Sequence, residues 1–469
     1  MKKLNVLMLG WEYPPHIAGG LGTACKGLTS ALAQQGVAIH FVVPQMFGGE
    51  DAHHMKLTDS RGSSNCETVS IEQREQSGHS QRITRISAFL QPYWNHEAFQ
   101  DAVSSITSAQ RSRIPTSLQD DAVVKAVADG SVYGIPLESV LPVDVAVQAH
   151  ESQSLSENRY SNNIFSEVER FTTDVVERFQ NESFDIIHAH DWMTFPAAVA
   201  LAEATGKPLI AHVHSLEQDR SGMFYDASID AIEEFGLRSA TRVVAVSHYT
   251  KRMIETRHSV APGKIAVVHN GIYPPQVIQE YKSRKTWPKH VVLFLGRITY
   301  QKGPEYFVEA AAKAFPHIED TLFVMAGAGD MLEAVQERVK QLEMEDMFLF
   351  PGFVQGEELE ELLSVADLYI MPSVSEPFGL SALEAVSFDI PVILSKQSGV
   401  AEVISHALKT DFWDTDRMSE LMVHALTYPE LRFEMASAAK QELSQLHWEV
   451  SAIKTTEVYQ GVLDSLRVP

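Results

Sequence analysis

The chain has 469 residues, of which 45% are hydrophobic, and its 38 basic and 61 acidic side chains give a formal net charge of −23. The length allows two or three domains. The charge opposes non-specific binding to nucleic acid or to an anionic membrane, and no apolar run approaches the length of a membrane span. Two cysteines, Cys25 and Cys66, offer neither a disulfide framework nor zinc-ligand spacing. We therefore expect a globular protein of a reducing compartment, cytoplasmic in localisation, with no nucleic-acid partner and no stable membrane insertion.

A strand, a glycine-rich loop, a helix and a second strand open the chain. Residues 4–9 are almost continuously apolar, which is typical of buried parallel strands. A glycine-rich loop over 18–22 precedes a helix predicted over 23–35 and a strand over 39–44. This order resembles half of a Rossmann unit, but the glycine spacing is not G-x-G-x-x-G, so it does not predict a dinucleotide site. A tight turn that needs small residues explains these glycines equally well.

Residues 46–142 show little periodicity. Their best local patterns indicate a hairpin at 81–86 and a helix within 104–128. Because so long an irregular stretch is uncommon inside an α/β domain, we interpret it as an insertion. Regular patterns return with a strand predicted at 143–148 and a helix at 165–179.

The next two predicted strands, at 184–192 and 208–214, both end in polar turns. They carry four histidines at or near their carboxyl ends: His188, His190, His212 and His214. Ligand sites of parallel sheets lie at these ends, and the two-residue period places His212 and His214 on one face. Satisfied core histidines are the common alternative. A metal site is disfavoured because no Glu-x-x-His or cysteine spacing accompanies the histidines.

A new series of strands and helices follows residues 276–289, a polar, proline-flanked segment that we interpret as an interdomain linker. A strand at 290–296 runs into a loop with Arg297 and Lys302, and a helix begins at Pro304, a residue favoured at that position. An arginine can donate two parallel hydrogen bonds to a phosphate, and a lysine contributes a point charge. The loop therefore suits a pyrophosphate. Two solvated surface cations are the alternative, and for this loop taken alone they are the better account.

The segment from Ser375 to Glu384 reads as a tight turn between a buried strand and the start of a helix, with Pro377 and Gly379 marking the turn. The unpaired N–H groups and positive dipole end of a helix start attract phosphate. The carboxylates of Glu376 and Glu384 repel phosphate and should face hydroxyl groups instead. A nucleotide-sugar, with phosphates between two hydroxyl-bearing rings, fits this arrangement.

A structural role is also open for Glu384. Ser381-Ala382-Leu383-Glu384 has the form of a capping box, in which the glutamate accepts a hydrogen bond from the N–H of the cap residue. For an isolated S-x-x-E pattern, capping is the better account. The sequence of this segment alone leaves both roles open.

Glu376 and Glu384, seven residues apart with Pro-Phe-Gly-Leu between them, resemble the signature of retaining glycosyltransferases of the GT-B fold. Family 4 and the glycogen (starch) synthases are the most similar groups. The resemblance implies an α/β protein with two Rossmann-like, doubly wound domains that face each other across a cleft. It implies an acceptor-side domain over 1–275 with the insertion at about 46–142, the linker at 276–289, a nucleotide-sugar-binding domain over 290–447, and a helix over 448–469 that crosses back to the first domain. In that helix, we expect a buried stripe of Val458, Val462 and Leu466.

The resemblance also assigns the site, residue by residue. The catalytic residues that it implies are His214, Arg297, Lys302 and Glu376. The donor-binding residues that it implies are Gly20, Gly296, Gly352, Phe353, Phe378, Gly379, Leu380, Ser381 and Glu384. The acceptor-binding residues that it implies are His190, Asp191 and Trp192. Two positions depart from the family pattern: Ile17 replaces a lysine, and Tyr273 replaces an aspartate.

The implied reaction is retaining transfer of a hexosyl unit, preferably glucosyl, from ADP-glucose or UDP-glucose to a glycan such as an α-glucan. An Asp-x-Asp motif at 414–416 precedes a helical pattern and is better explained as a cap than as a metal ligand. We therefore expect no metal and no cofactor, the nucleotide-sugar being a substrate. The alternatives are transfer to another small sugar or a lipid-linked acceptor, an epimerase of the same fold, and a nucleotide-sugar-binding pseudoenzyme.

Overall fold

The computed structural model describes residues 4–14, 20–45, 164–273, 288–318 and 320–466, together with the backbone of four short strands at 58–59, 81–85, 131–132 and 135–136. The predicted helix within 104–128, the predicted strand at 143–148 and nearly all of the linker lie outside the described residues, as do Ile17 and Cys66.

The first half of the chain forms a parallel sheet of eight strands in the order β10-β9-β8-β7-β1-β2-β4-β3. Its strands are β1 (Asn5–Leu9), β2 (Ala38–Val43), β3 (Thr58–Asp59), β4 (Gln81–Arg85), β7 (Ile186–His190), β8 (Leu209–Val213), β9 (Arg242–Ala245) and β10 (Ile265–Val267). A separate antiparallel pair consists of β5 (Ser131–Val132) and β6 (Ile135–Pro136). The helices of this half are α1 (Gly20–Gln34), α2 (Ile164–Phe179), α3 (Phe195–Thr205), α4 (Glu217–Ser221), α5 (Ala227–Ser239) and α6 (His248–His258).

Two local predictions in this half are corrected. The predicted hairpin at 81–86 is a strand of the main sheet, paired in parallel with β2 from Ile39↔Gln81 to Val43↔Arg85. Its alternating pattern correctly indicated a strand, but the partner is distant in sequence, which a local pattern cannot show. Helix α1 begins at Gly20 rather than near residue 23, so part of the predicted loop is the first helical turn.

The second half forms a parallel sheet of six strands in the order β13-β12-β11-β14-β15-β16. Its strands are β11 (His290–Leu295), β12 (Thr321–Ala326), β13 (Phe348–Gly352), β14 (Leu368–Met371), β15 (Val392–Ser395) and β16 (Leu408–Thr410). Its helices are α7 (Pro304–Ala314), α8 (Leu332–Gln341), α9 (Glu357–Val365), α10 (Leu380–Ser387), α11 (Val400–Val403), α12 (Thr415–Thr427) and α13 (Pro429–Leu443). No helix among the described residues is long and apolar enough to cross a membrane.

The last helix, α14 (Trp448–Ser465), returns to the first half and packs against α1. Its buried residues Trp448, Ala452, Tyr459 and Val462 belong to the apolar core of the eight-stranded sheet. The predicted stripe is therefore right at Val462 and wrong at Leu466, which is 61% exposed near the end of the helix. The chain crosses between the halves where the Ile272 N–H donates to the Leu446 carbonyl at 2.7 Å.

A glycine in α1 makes the contact with α14 possible. A Cβ built on Gly27 would lie 2.1 Å from the Trp448 ring, whereas one built on Gly461, in α14 itself, would meet nothing within 4 Å. We expect Gly27→Ala to lower the free energy of unfolding by about 1–3 kcal/mol through overpacking. We expect Gly461→Ala to raise it by about 1 kcal/mol through helix propensity. Urea unfolding of both variants tests the contact, and equal effects of the two substitutions would contradict it.

Candidate active site

The turn after β14 is built on one glycine and a set of backbone hydrogen bonds. Gly379 has φ +107° and precedes α10, and a Cβ there would lie 3.0 Å from Val400 and 3.1 Å from Met371. The Glu376 N–H donates to Gln397 O at 2.9 Å, and the Val400 N–H donates to Phe378 O at 2.6 Å. The turn is thus fixed against the segment after β15, which sets the direction of the Glu376 side chain.

Lys302 and Glu376, both predicted site residues, meet at the carboxyl ends of β11 and β14. The Lys302 Nζ contacts the Glu376 carboxylate, which also accepts a hydrogen bond from Ser373 Oγ at 3.2 Å. Glu376 is buried, while Lys302 is partly exposed. The charges are therefore held together in this structure, with the ammonium on the accessible side.

Arg297 lies on the same loop as Lys302. Its guanidinium donates to Gln301 Oε1 at 2.9 Å, and Gln301 is buried. Gly296, directly before it, has φ +155°, and Gly303, directly after Lys302, has φ +61°. Two glycines in conformations that other residues rarely adopt therefore shape the loop that carries both cations.

The four histidines of β7 and β8 form one cluster. His188 and His190 stack at 4.5 Å, as do His212 and His214 at 4.3 Å. Across the strands, His188 Nε2 lies 3.1 Å from His212 Nδ1, and His190 Nδ1 lies 2.9 Å from His214 Nε2. His188 Nδ1 also contacts the Tyr459 hydroxyl of α14. Burial lowers the pKa of His188 and of His214 to about 3, so both rings are neutral at pH 7.

Asp191 holds the His214 loop rather than facing solvent. Its φ of 62° is unusual for a residue other than glycine and indicates local strain. Its Oδ1 accepts hydrogen bonds from the backbone N–H groups of His214 at 2.6 Å and Ser215 at 3.4 Å. Burial raises its pKa to about 7, against these hydrogen bonds. Trp192 is only 3% exposed and packs against Phe165 at 5.7 Å, so its ring offers almost no surface for the implied contact with an acceptor.

Side chains of the first half of the chain form hydrogen bonds with the turn after β14 from the opposite side. Ser375 Oγ donates to Asp219 Oδ1 at 2.5 Å and lies 2.8 Å from the Tyr249 hydroxyl. Ser247 Oγ donates to the Pro377 carbonyl at 2.6 Å. The sequence analysis missed Asp219, Tyr249 and Ser247, because nothing in their local pattern marks a contact with a segment more than a hundred residues away.

Glu384 is not part of a capping box. Helix α10 begins at Leu380 with Gly379 as its cap, and Ser381 Oγ bonds instead to the Tyr369 hydroxyl at 2.8 Å. Glu384 lines a cavity of 340 Å³ between the two halves, opposite Lys26 of α1. The capping alternative is therefore wrong, and the carboxylate is directed at space that a ligand could fill.

The other predicted donor residues lie around the same cleft. A Cβ on Gly20, at the start of α1, would lie 3.8 Å from Leu380 Cδ1, so the starts of α1 and α10 approach each other. Gly352 ends β13 with φ +82°, and the next residue, Phe353, is 62% exposed. Phe378, in contrast, is buried, so it can offer a ligand only its backbone.

An exposed apolar pair beside the cleft was also missed. Met223 and Phe224 follow α4 and are 87% and 93% exposed. A Cβ on Gly222, the preceding residue, would lie 2.7 Å from the Tyr300 ring, on the loop that carries Arg297 and Lys302. The two halves therefore bring an apolar surface next to the cationic loop. The only sequence signal is the Met-Phe-Tyr run after a polar segment, which is weak.

Three segments match families of known proteins. Residues 5–112 match the family described as "Starch synthase catalytic domain", residues 145–274 "Glycosyltransferase Family 4", and residues 277–442 "Glycosyl transferases group 1". An uncharacterised glycosyltransferase of Methanocaldococcus jannaschii is 29% identical over 61% of this chain and 77% of its own length. The glycogen synthase of Mycobacterium tuberculosis is 28% identical over 61% of this chain and 70% of its own.

A solved structure gives the same result for the fold. Sucrose-phosphate synthase from Thermosynechococcus elongatus matches 99% of this chain and 100% of its own, with a TM-score of 0.67 and 17% identity. The chain is a GT-B glycosyltransferase. The two parallel sheets and the returning helix are those that the family resemblance implied, and the glycosyltransferase is related to glycogen synthase.

The environment of the Glu384 carboxyl group should make the stability of the glycosyltransferase depend on pH. Burial raises its pKa from 4.5 to about 7. Between these values the native state binds a proton that the unfolded state does not, so this residue's contribution to stability falls as pH rises. Glu384→Gln should therefore become more stable relative to wild type by about 1–3 kcal/mol between pH 4.5 and 8. Urea unfolding of both proteins at several pH values measures the difference, and parallel curves would contradict burial of the carboxyl group.

Proposed function

We propose that this glycosyltransferase transfers a glucosyl unit, with retention, from ADP-glucose or UDP-glucose to an α-glucan. The observation that carries the proposal is the meeting of Lys302 and Glu376 beside the start of α10. A cation and helix N–H groups suit phosphate, and a carboxylate suits sugar hydroxyls. The site therefore offers both kinds of group within the span of one nucleotide-sugar.

Charge stabilisation at the leaving group is the main catalytic contribution that these residues can make. Negative charge develops on the distal phosphate as the glycosidic bond breaks, and Arg297, Lys302 and the N–H groups at the start of α10 can oppose it. In this role Lys302 would exchange part of its contact with Glu376 for the phosphate. Glu376 would then be available to the hydroxyl groups of the transferred sugar.

The sugar itself would pass through an oxocarbenium-like state. Burial keeps His214 neutral, so its ring can hydrogen-bond the sugar without adding positive charge next to the anomeric carbon. Glu376 is engaged by Lys302 and Ser373, and Asp219 by Ser375. In the proposed mechanism Glu376, once released by Lys302, bonds to sugar hydroxyl groups and not to the anomeric carbon, so no covalent carboxylate intermediate forms.

The exposed pair Met223–Phe224 is our candidate for the acceptor side, in place of Trp192. Aromatic rings offer apolar faces to sugar rings, and this pair lies next to the Tyr300 loop. The M. tuberculosis relative is a glycogen synthase by name, which supports a glucan. Transfer to a monosaccharide, a phosphosugar or a lipid-linked sugar is the second candidate, favoured by the departures at Ile17 and Tyr273.

The leaving-group role predicts a kinetic effect larger than any stability effect. Lys302→Ala and Arg297→Ala should each lower kcat/KM more than a hundredfold, which corresponds to a loss of about 3 kcal/mol of transition-state stabilisation. Lys313→Ala is a matched control, because that lysine pairs with Asp416 at 2.7 Å on the surface. A double variant of Arg297 and Lys302 with near-wild-type turnover would contradict the role.

We also propose that transfer requires no divalent metal. The Asp-x-Asp motif is engaged elsewhere: Asp414 caps α12 by accepting from the Arg417 N–H at 3.0 Å, and Asp416 pairs with Lys313. Turnover should therefore persist in excess chelator. Strict loss of turnover that magnesium or manganese restores would show that this proposal is wrong.

Labelled glucose from each donor tests the acceptor. We expect incorporation into glycogen or maltooligosaccharides, measured after precipitation or separation of the glucan. Labelling of a monosaccharide or phosphosugar instead would reject the glucan and retain the transferase. If the protein binds the donor but neither transfers its sugar to any acceptor nor hydrolyses it, the result would favour a pseudoenzyme.

A further inference from the structure

Cys25 lies against the histidine cluster. It is a buried, free cysteine of α1, and one ligand atom each from Cys25, His190 and His214 all lie within 4.8 Å of one another. The two histidines are already close, with His190 Nδ1 2.9 Å from His214 Nε2. His190 is fully buried, whereas His214 is only partly buried. The three side chains thus form a compact set with an approach from the His214 side.

One nitrogen of this set lacks a partner. Within the described part of the chain, His190 Nε2 is buried and has no hydrogen bond, a condition that is costly unless something else satisfies it. Burial and the neighbouring imidazoles keep His190 neutral by lowering its pKa, and a neutral imidazole is the form that binds metal. A neutral His190 can bind a metal through Nδ1, which lies beside His214, or through Nε2, which has no hydrogen bond.

The surrounding charge favours a cation. Burial raises the pKa of the Cys25 thiol, and the nearby carboxylates of Asp191 and Glu12 raise it further. Asp191 is fixed by the His214 N–H at 2.6 Å, and Glu12 is fixed by the Gly22 N–H at 2.9 Å. The carboxylates of Asp191 and Glu12 would stabilise a positive ion placed beside the thiol.

We propose that Cys25, His190 and His214 form a binding site for a soft divalent cation, Zn²⁺ in particular, and that its occupancy inhibits glycosyl transfer. A thiolate with two imidazoles selects zinc over magnesium or calcium. Tetrahedral zinc places two nitrogen ligands about 3.3 Å apart and nitrogen and sulfur about 3.6 Å apart. The 2.9 Å nitrogen pair of His190 and His214 would therefore open slightly, and the Cys25 sulfur, within 4.8 Å of both histidine ligand atoms, would move closer to them. Binding replaces the thiol proton by a sulfur–zinc bond and releases that proton to solvent, with no change of oxidation state.

Inhibition follows because the ion would occupy His214, the residue that the proposed function sets beside the anomeric carbon. This second half of the inference rests on the proposed function, whereas binding of the ion does not. The soft-metal site is also consistent with transfer that needs no magnesium, because the two kinds of ion prefer different ligands.

Cobalt can report the site directly. The metal-free, full-length protein is titrated with Co²⁺, whose thiolate complexes show a sulfur-to-metal charge-transfer band, and Zn²⁺ is then added as a competitor. We expect about one equivalent bound, tetrahedral d–d bands, the charge-transfer band, and displacement by zinc. Cys25→Ser should abolish the charge-transfer band and weaken zinc binding at least tenfold. Cys66→Ser, which removes the chain's other cysteine, is the matched control and should retain both.

The outcomes separate the site from its neighbours. A band that survives Cys25→Ser, or that is lost in Cys66→Ser, overturns the assignment. Binding without a charge-transfer band means that the ion has no cysteine ligand, as at His188, His190 and His212 or at Asp230, Glu233 and His258, and also overturns the assignment. If Cys25→Ser does not fold, as judged by its thermal transition, His190→Gln is used, and retention of the wild-type spectrum would contradict the proposal.

Activity tests the inhibitory half. With each protein compared with its own zinc-free rate, wild type should lose at least nine-tenths of its transfer at saturating zinc, while Cys25→Ser should need at least tenfold more zinc. Zinc binding without loss of transfer overturns inhibition and leaves the site. Zinc binding by a protein that transfers no sugar under any condition rejects the proposed function and leaves the site.

Discussion

The turn at residues 375–377 is the constraint on which the rest of the candidate site depends. On one side, its backbone is hydrogen-bonded to the segment after β15. On the other side, Ser375 is hydrogen-bonded to Asp219 and Tyr249 of the first domain, and the Pro377 carbonyl accepts a hydrogen bond from Ser247. Asp219 and Ser247 are buried, so a lost partner would cost about 1–3 kcal/mol for each group. The same hydrogen bonds that join the two domains therefore orient Glu376.

The cleft combines cations on a glycine-shaped loop with two carboxylates, of which Glu376 is buried and Glu384 is partly buried. Lys302 is restrained by Glu376 before any donor binds, which reduces the side-chain entropy that phosphate binding must overcome. Buried ion pairs often add little to stability, since desolvation offsets their attraction. The Lys302–Glu376 pair is better understood as positioning than as stabilisation. Among the described residues, no cation is seen hydrogen-bonded to Glu384. Burial therefore raises the pKa of its carboxyl group without an opposing positive charge.

The histidine cluster is the second unusual feature of the first domain. Four stacked imidazoles are kept neutral by burial and by one another, and the cluster ends at the Tyr459 hydroxyl of the returning helix. Helix α14 thereby connects the last part of the chain to the carboxyl ends of β7 and β8, where His190 and His214 lie. The packing of Trp448 on Gly27 serves the same link, because it seats α14 on α1.

The sequence by itself determined the fold class and the positions of most strands and helices in the described part of the chain. Apolar runs at β1, β7, β8 and β11 have the length of buried parallel strands, and the Glu-x7-Glu segment carries enough specific residues to identify the GT-B family. These are local properties, and a chain segment shows them without its partners. The family pattern, and not spacing, placed Lys302 and Glu376 in one site, whereas their direct contact comes from the structure.

Only the tertiary structure decided which side chains meet across long sequence separations. It showed that Glu384 lines a cavity and is not a cap, that Trp192 is buried in the core, and that β4 joins the main sheet in parallel. It also brought Asp219 to Ser375 and Cys25 to His190 and His214. Hydrogen bonding and burial depend on groups supplied by distant segments, so no periodicity or spacing within one segment contains that information.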